Sequence, residues 1–204
     1  MEVWERKYAG SFDWRRDRQI QNLAELGTIP GAEPDPIHPG FIDKLWGLQH
    51  DDEVVTSLYR SITYLSVDAI QTYITGFFQA SVLCTGAVLE RILKLEYRIA
   101  KGALPDGNWT LGRCAYKLDW TGTRITETVL RPIMDFKGTR DSRTHALLEH
   151  DDPTSAMRGG NRGIEIRSVQ HYHIEPFRGE ALEGMKCLYF VGDLLYSDER
   201  KHDR

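Results

Sequence analysis

The chain has 204 residues, which suits one domain with peripheral additions or two small domains. It is 41% hydrophobic and 27% charged, as an ordinary globular protein is, and its net charge of −4 gives no overall electrostatic footprint for nucleic acid, so any such contact must rest on a local basic patch. Cys84, Cys114 and Cys187 are scattered, with no CxxC pair and no Cys/His ligand spacing, which argues against a structural zinc site and fits a reducing cytoplasm.

The first residues are charged and lack an apolar segment, so no secretory signal is read there. Residues 1–29 mix charges with Trp4, Tyr8, Phe12 and Trp14, and a short helix is predicted from about Trp14 to Leu26. Between Ile29 and Gly40 lie Pro30, Gly31, Pro34, Pro36 and Pro39, a density that forbids regular structure and marks a linker. Residues 1–40 therefore read as an N-terminal arm with its linker, and residues 41–204 as the main domain.

In the main domain, Val54, Val55, Leu58, Tyr59, Ile62 and Leu65 recur at helical spacing behind the acidic start Asp51–Asp52–Glu53. A longer helix is predicted from Val67 or Asp68 to about Lys101, with small residues (Gly76, Ala80, Ser81, Gly86, Ala87) along its middle. Gly102 and Pro105 stop it. Polar residues interrupt the apolar run from Ile70 to Ile99 at Gln71, Gln79, Glu90 and Arg91, so no membrane span of about 20 uninterrupted apolar residues is expected. Thr110 caps a short helix running to Leu118, and Thr121–Gly122–Thr123 ends it. A further helix carries Ile125, Val129, Ile133 and Phe136, begun late or kinked by Pro132. Residues 151–163 read as a Gly-rich loop, residues 164–174 as a short hairpin strand, and residues 179–196 as a closing helix. The expected fold is mainly α: an up-and-down bundle of four to five helices, with the N-terminal appendage and a small loop or hairpin insertion before the last helix.

The stretch Gly138-Thr139-Arg140-Asp141-Ser142-Arg143-Thr144-His145 carries the chemistry. A permanently charged arginine and a histidine that titrates near neutrality are the two parts needed to cleave a phosphodiester without a metal. On an ideal helix, residues five apart diverge by about 140°. Convergence within one chain therefore needs an irregular backbone, for which Gly138 and Thr139 are the expected break; otherwise two chains must contribute. The alternative is structural, with Arg140 bridging to a carboxylate and His145 capping a helix. Asp141 is read either as an orienter of His145 or Arg140, or as an N-cap. Glu90 is the candidate carboxylate for Arg140, or else a helix charge paired with Lys94 at i+4. Arg143 is a candidate phosphate contact or an exposed arginine. Arg158, Arg162 and Arg167 form a second basic cluster that would grip a phosphate backbone or simply be solvated. His171 and His173 alternate on the expected strand, but no cysteine or carboxylate pattern joins them, so no metal and no cofactor is expected. Trp4, Trp14 and Trp46 would stack bases or pack the arm onto the body.

The segment from Phe77 to Leu93 resembles the long helix of HEPN domains: an aromatic entry, small residues midway, and Leu89–Glu90 before the last turns. Thr110-Leu111-Gly112-Arg113 resembles the start of that family's next short helix, and Arg140-Asp141 followed by His145 resembles its motif. The helix at 179–196 takes the expected last place, so the resemblance covers about residues 52–196. It implies a helical bundle, a homodimer whose two Arg/His pairs meet at the interface, and either a metal-independent ribonuclease of a prokaryotic defence or toxin system, or a catalytically inactive module that binds nucleic acid or a protein partner. The family often has Asn after the arginine, where this chain has Asp141. One toxin subfamily carries tyrosine two residues past the histidine; Leu147 stands there, which argues against that subfamily.

Overall fold

In the computed structural model the described residues are 16–105, 109–150 and 177–196, with backbone alone at 139 and 142–150. They form a mainly helical protein, with no strand among the described residues. A first helix, α1, covers residues 16–26. It is followed by α2 (Gly40–Gly47), α3 (Glu53–Ile74), α4 (Phe78–Lys101), α5 (Leu111–Lys117), α6 (Glu127–His150) and α7 (Arg178–Tyr196).

The centre of the fold is the α3–α4 hairpin. Asp52 caps α3 by accepting from Val54 N, and its other oxygen pairs with Arg98 near the end of α4 at 2.6 Å. The two helices therefore run antiparallel. Their junction differs from expectation: the chain stays helical through 65–68 and turns at Thr75–Phe77. There Gly76 adopts φ +83°, Gly76 N donates to Tyr73 O at 3.0 Å and Phe77 N donates to Thr72 O at 2.8 Å. This is a Schellman ending, which needs a left-handed residue after the cap. Ser66 does not interrupt α3 because its hydroxyl donates back to Ile62 O. At the other end of α4, Gly102 (φ +73°) donates to Arg98 O and stops the helix where the sequence indicates.

The apolar faces of α3, α4, α6 and α7 enclose one core that includes Ile62, Ile70, Leu89, Ile92, Ile133 and Leu188, each fully buried. Two aromatic rings lie directly on the α7 backbone. A methyl group added to Gly184 would lie 2.8 Å from the Phe136 ring, and one added to Gly192 would lie 2.6 Å from the Phe41 ring. Glycine at these sites lets α6 and α2 approach closely. The short helix α2, which the periodicity did not reveal, delivers Phe41, Ile42 and Leu45 to that contact.

The Pro-rich stretch 29–39 is irregular as expected, and residues 16–39 pack into the same core. Leu26, Ile29 and Ala32 are buried. Asn22 Nδ2 donates to the carbonyls of Tyr73 and Ile74 at the end of α3, and Tyr189 OH donates to Pro36 O at 2.6 Å. Glu25 accepts from Tyr73 OH (2.6 Å) and from Arg178 (3.0 Å). Burial opposes the Glu25 charge, yet these hydrogen bonds outweigh it and hold the carboxyl below its ordinary range. No described helix is long and apolar enough to cross a membrane. The expected strand at 164–174 lies outside the described residues.

Candidate functional site

The candidate residues of the Arg/His stretch all lie on α6, which is continuous from Glu127 to His150. Pro132 sits inside it, removing one backbone donor without ending the helix. The expected break at Gly138 does not occur. Gly138 is helical and is not among the positive-φ glycines of the described residues, which are Gly31, Gly76, Gly102 and Gly122. An unbroken helix puts positions 140 and 145 about 140° apart around the axis and about 7.5 Å apart along it. The condition for a site converging within one chain is therefore not met by the backbone.

Arg140 is mostly covered, with 22% of its side chain exposed. Its Nε and Nη2 both donate to Asp141 Oδ1, at 3.1 and 2.9 Å. The other oxygen, Asp141 Oδ2, takes Lys137 Nζ at 2.9 Å, an i,i+4 ion pair. Asp141 is thus mid-helix, not an N-cap, and one carboxylate is shared by two cations. Burial pushes its carboxyl up, but the hydrogen bonds from Lys137 and then Arg140 win and hold it below the ordinary carboxylate range. The cluster carries one net positive charge.

Two neighbouring helices shape this cluster. A methyl group on Gly86 of α4 would lie 2.6 Å from Arg140 Nη1, and one on Gly112 of α5 would lie 2.7 Å from Lys137 Cε. Lys137 Nζ also stands 5.7 Å from the ring centre of Tyr116, which is 58% exposed. Helix α5 forms where expected: Thr110 Oγ1 accepts from Arg113 N at 3.5 Å, and Glu90 Oε2 accepts from Leu111 N at 3.0 Å. Glu90 Oε1 pairs with Lys94 at 2.6 Å. Of the two expectations for Glu90, the i,i+4 pair with Lys94 is the one the structure shows, and its second oxygen links α4 to the start of α5.

The side chains of Arg143 and His145 are outside the description, although their backbone is helical. Arg158, Arg162 and Arg167, with His171, His173, Trp4 and Trp14, also lie outside the described residues. Trp46 is described: it is 60% exposed and packs edge-on against Tyr64 at 5.6 Å, far in sequence from α6. Among the described residues no three His, Cys, Asp or Glu side chains gather as metal ligands. Burial pushes the thiols up, Cys114 to about 11 and Cys187 to about 12, which leaves them un-ionised near neutrality.

Sequence reasoning missed Lys137 and Gly112, and it read Gly86 only as one of the small residues along the middle of α4. The i,i+4 spacing of Lys137 and Asp141 was a usable local signal. The glycine seats were not, because they depend on which helices meet. Comparisons with protein-family models, curated proteins and solved structures found no match for this chain.

Proposed function

We propose that this protein is a metal-independent endoribonuclease of HEPN type that works as a homodimer, in a prokaryotic defence or toxin system. The observation that carries the reading is the held guanidinium of Arg140 on α6, oriented by Asp141 and backed by α4. The helix order supports it as well: a long α4, a short α5 opening at Thr110-Leu111-Gly112, the motif helix α6 and a closing α7.

In this chemistry the ribose 2′-oxygen attacks the adjacent phosphorus and the bond to the 5′-oxygen breaks. One imidazole accepts the 2′-hydroxyl proton and another protonates the departing 5′-oxygen. The phosphorane between them carries added negative charge, which Arg140 stabilises through its planar donors. The products are a 2′,3′-cyclic phosphate and a 5′-hydroxyl, and DNA is not cut because it lacks the nucleophile. An unbroken α6 favours two chains over one: His145 of one copy works with Arg140 of the other.

The test is RNA cleavage in EDTA. Arg140→Ala and His145→Ala should each abolish it while the far-ultraviolet helical signal is unchanged. If both variants still cut, the reading is wrong. The alternative, a catalytically silent module that binds nucleic acid or a protein partner, is favoured by one observation: the net charge of −4, which supplies no overall attraction for RNA. Wild-type protein that binds RNA in a gel-shift assay but leaves every tested RNA intact would select it.

A further inference from the structure

We propose that Gly86 is a positioning residue for Arg140, its missing side chain being what lets the guanidinium lie against the α4 backbone beside Asp141. The catalytic consequence rests on the ribonuclease reading; the geometry does not. Gly86 is buried in the middle of α4 and helical, with no positive φ to require glycine. Glycine there is unfavourable to the helix by about 1 kcal/mol relative to alanine. The surroundings supply a reason for it. The three heavy atoms nearest to an added methyl group all belong to Arg140: Nη1 at 2.6 Å, Cδ at 3.5 Å and Cζ at 3.7 Å.

The kind of neighbour distinguishes this glycine from Gly184 and Gly192, which face buried aromatic rings. At Gly86 the obstructed atoms are the far end of a flexible side chain, which moves aside at little cost in packing. A methyl group at 86 would therefore leave the fold intact but lift the guanidinium off α4. It would also draw Nε and Nη2 away from Asp141 Oδ1, now 3.1 and 2.9 Å distant. The aim of the arginine is thus set by two helices: Asp141 on its own and the bare backbone of α4.

The experiment has two arms. In the first, urea unfolding compares wild type, Gly86→Ala, Arg140→Ala and the double variant. In the Arg140→Ala background, Gly86→Ala should raise the folding constant on the order of fivefold, the full helix-propensity gain. In the wild-type background the gain should be at least about threefold smaller, because the contact with Arg140 is lost. Equal gains in both backgrounds overturn the seat. In the second arm, Gly86→Ala should lower kcat for RNA cleavage by about tenfold or more while KM stays within about twofold, the signature of a transition-state contact rather than of substrate binding. An unchanged kcat overturns the positioning role. If wild type cuts no RNA, the ribonuclease reading has failed, and the unfolding cycle still decides whether Gly86 seats Arg140.

Discussion

Arg124 and Arg140 are held in opposite ways. Arg124 joins three distant parts of the chain: it grips Glu96 of α4 with both Nε (2.9 Å) and Nη2 (2.6 Å), and its Nη1 donates to Leu195 O near the end of α7. Its guanidinium lies 5.4 Å from the ring centre of Tyr196, whose hydroxyl donates to the same Glu96 at 3.1 Å. Arg140 is oriented instead by the residue beside it, through a carboxylate shared with Lys137, and it backs onto bare helix. The Glu96 side chain is 1% exposed, whereas that of Asp141 is 33% exposed. Bidentate pairing to a buried carboxylate fixes where helices sit; pairing within one turn fixes only where a guanidinium points. The first arrangement belongs to stability and the second is suited to recognition.

The sharpest way to break this contrast is Arg124→Met. It leaves a fully buried carboxylate without its cation, a change that costs about 3 kcal/mol, the low end for a buried pair because Arg124 itself keeps some solvent. Urea unfolding should show that loss; a change under about 1 kcal/mol would make Arg124 no more structural than an exposed ion pair. Next in size is Gly192→Ala, which drives a methyl group into the Phe41 ring. Phe41 is a rigid ring, 2% exposed, packed against the α7 backbone, so overpacking should cost about 2 kcal/mol. The same substitution at Gly86, facing the far end of an arginine side chain, should not destabilise. Equal destabilisation at both glycines would erase the distinction between a packing seat and an aiming seat.

Arg140→Ala should separate stability from activity. Its ion pair is intrahelical and partly exposed, so unfolding should shift by less than about 1 kcal/mol. RNA cleavage, under the proposed function, should fall by about a hundredfold or more. Arg140→Lys should rescue little, because a point charge cannot reproduce two donors set in a plane. Full activity in the lysine variant would show that charge alone suffices and that the geometry around Asp141 is incidental.

How far the sequence reveals this arrangement depends on how local each cause is. The end of α4 at Gly102, the cap at Thr110 and the closing helix are all written within a few residues, and they appear where the pattern puts them. Glycine is the ambiguous letter. Gly76, Gly86 and Gly138 look alike in a periodic run, yet only Gly76 leaves the helical region, because a turn is closed there by Tyr73 and Thr72 carbonyls. The expected break at Gly138 does not occur in α6, and the junction of α3 with α4, expected near Val67, falls at Gly76. The buried Glu96 was hidden for a different reason. Its partners stand 28 and 100 residues away, so on the helix it reads as one more surface charge, while Glu90, six residues earlier, drew the assignment to Arg140. The i,i+4 spacing already offered Lys94 as the partner of Glu90, and only its link to the start of α5 needed the fold.

The smallest effect tests the shared carboxylate itself. Because Lys137 and Arg140 together hold Asp141 below its ordinary range against the pull of burial, the folded state binds this proton more weakly than the unfolded chain does. The stability it contributes is present above the unfolded value of about 3.9 and is lost as pH falls through the lower folded value. The stability difference between wild type and Asp141→Asn should therefore be steady above about pH 5 and shrink below about pH 4. Its size should stay under about 1 kcal/mol, since the carboxylate is one-third exposed and solvent screens it. A difference that persists unchanged at pH 3 would mean that Asn at 141 acts through its amide rather than through lost charge. The guanidinium of Arg140 would then owe its aim to the α4 backbone at Gly86 more than to Asp141.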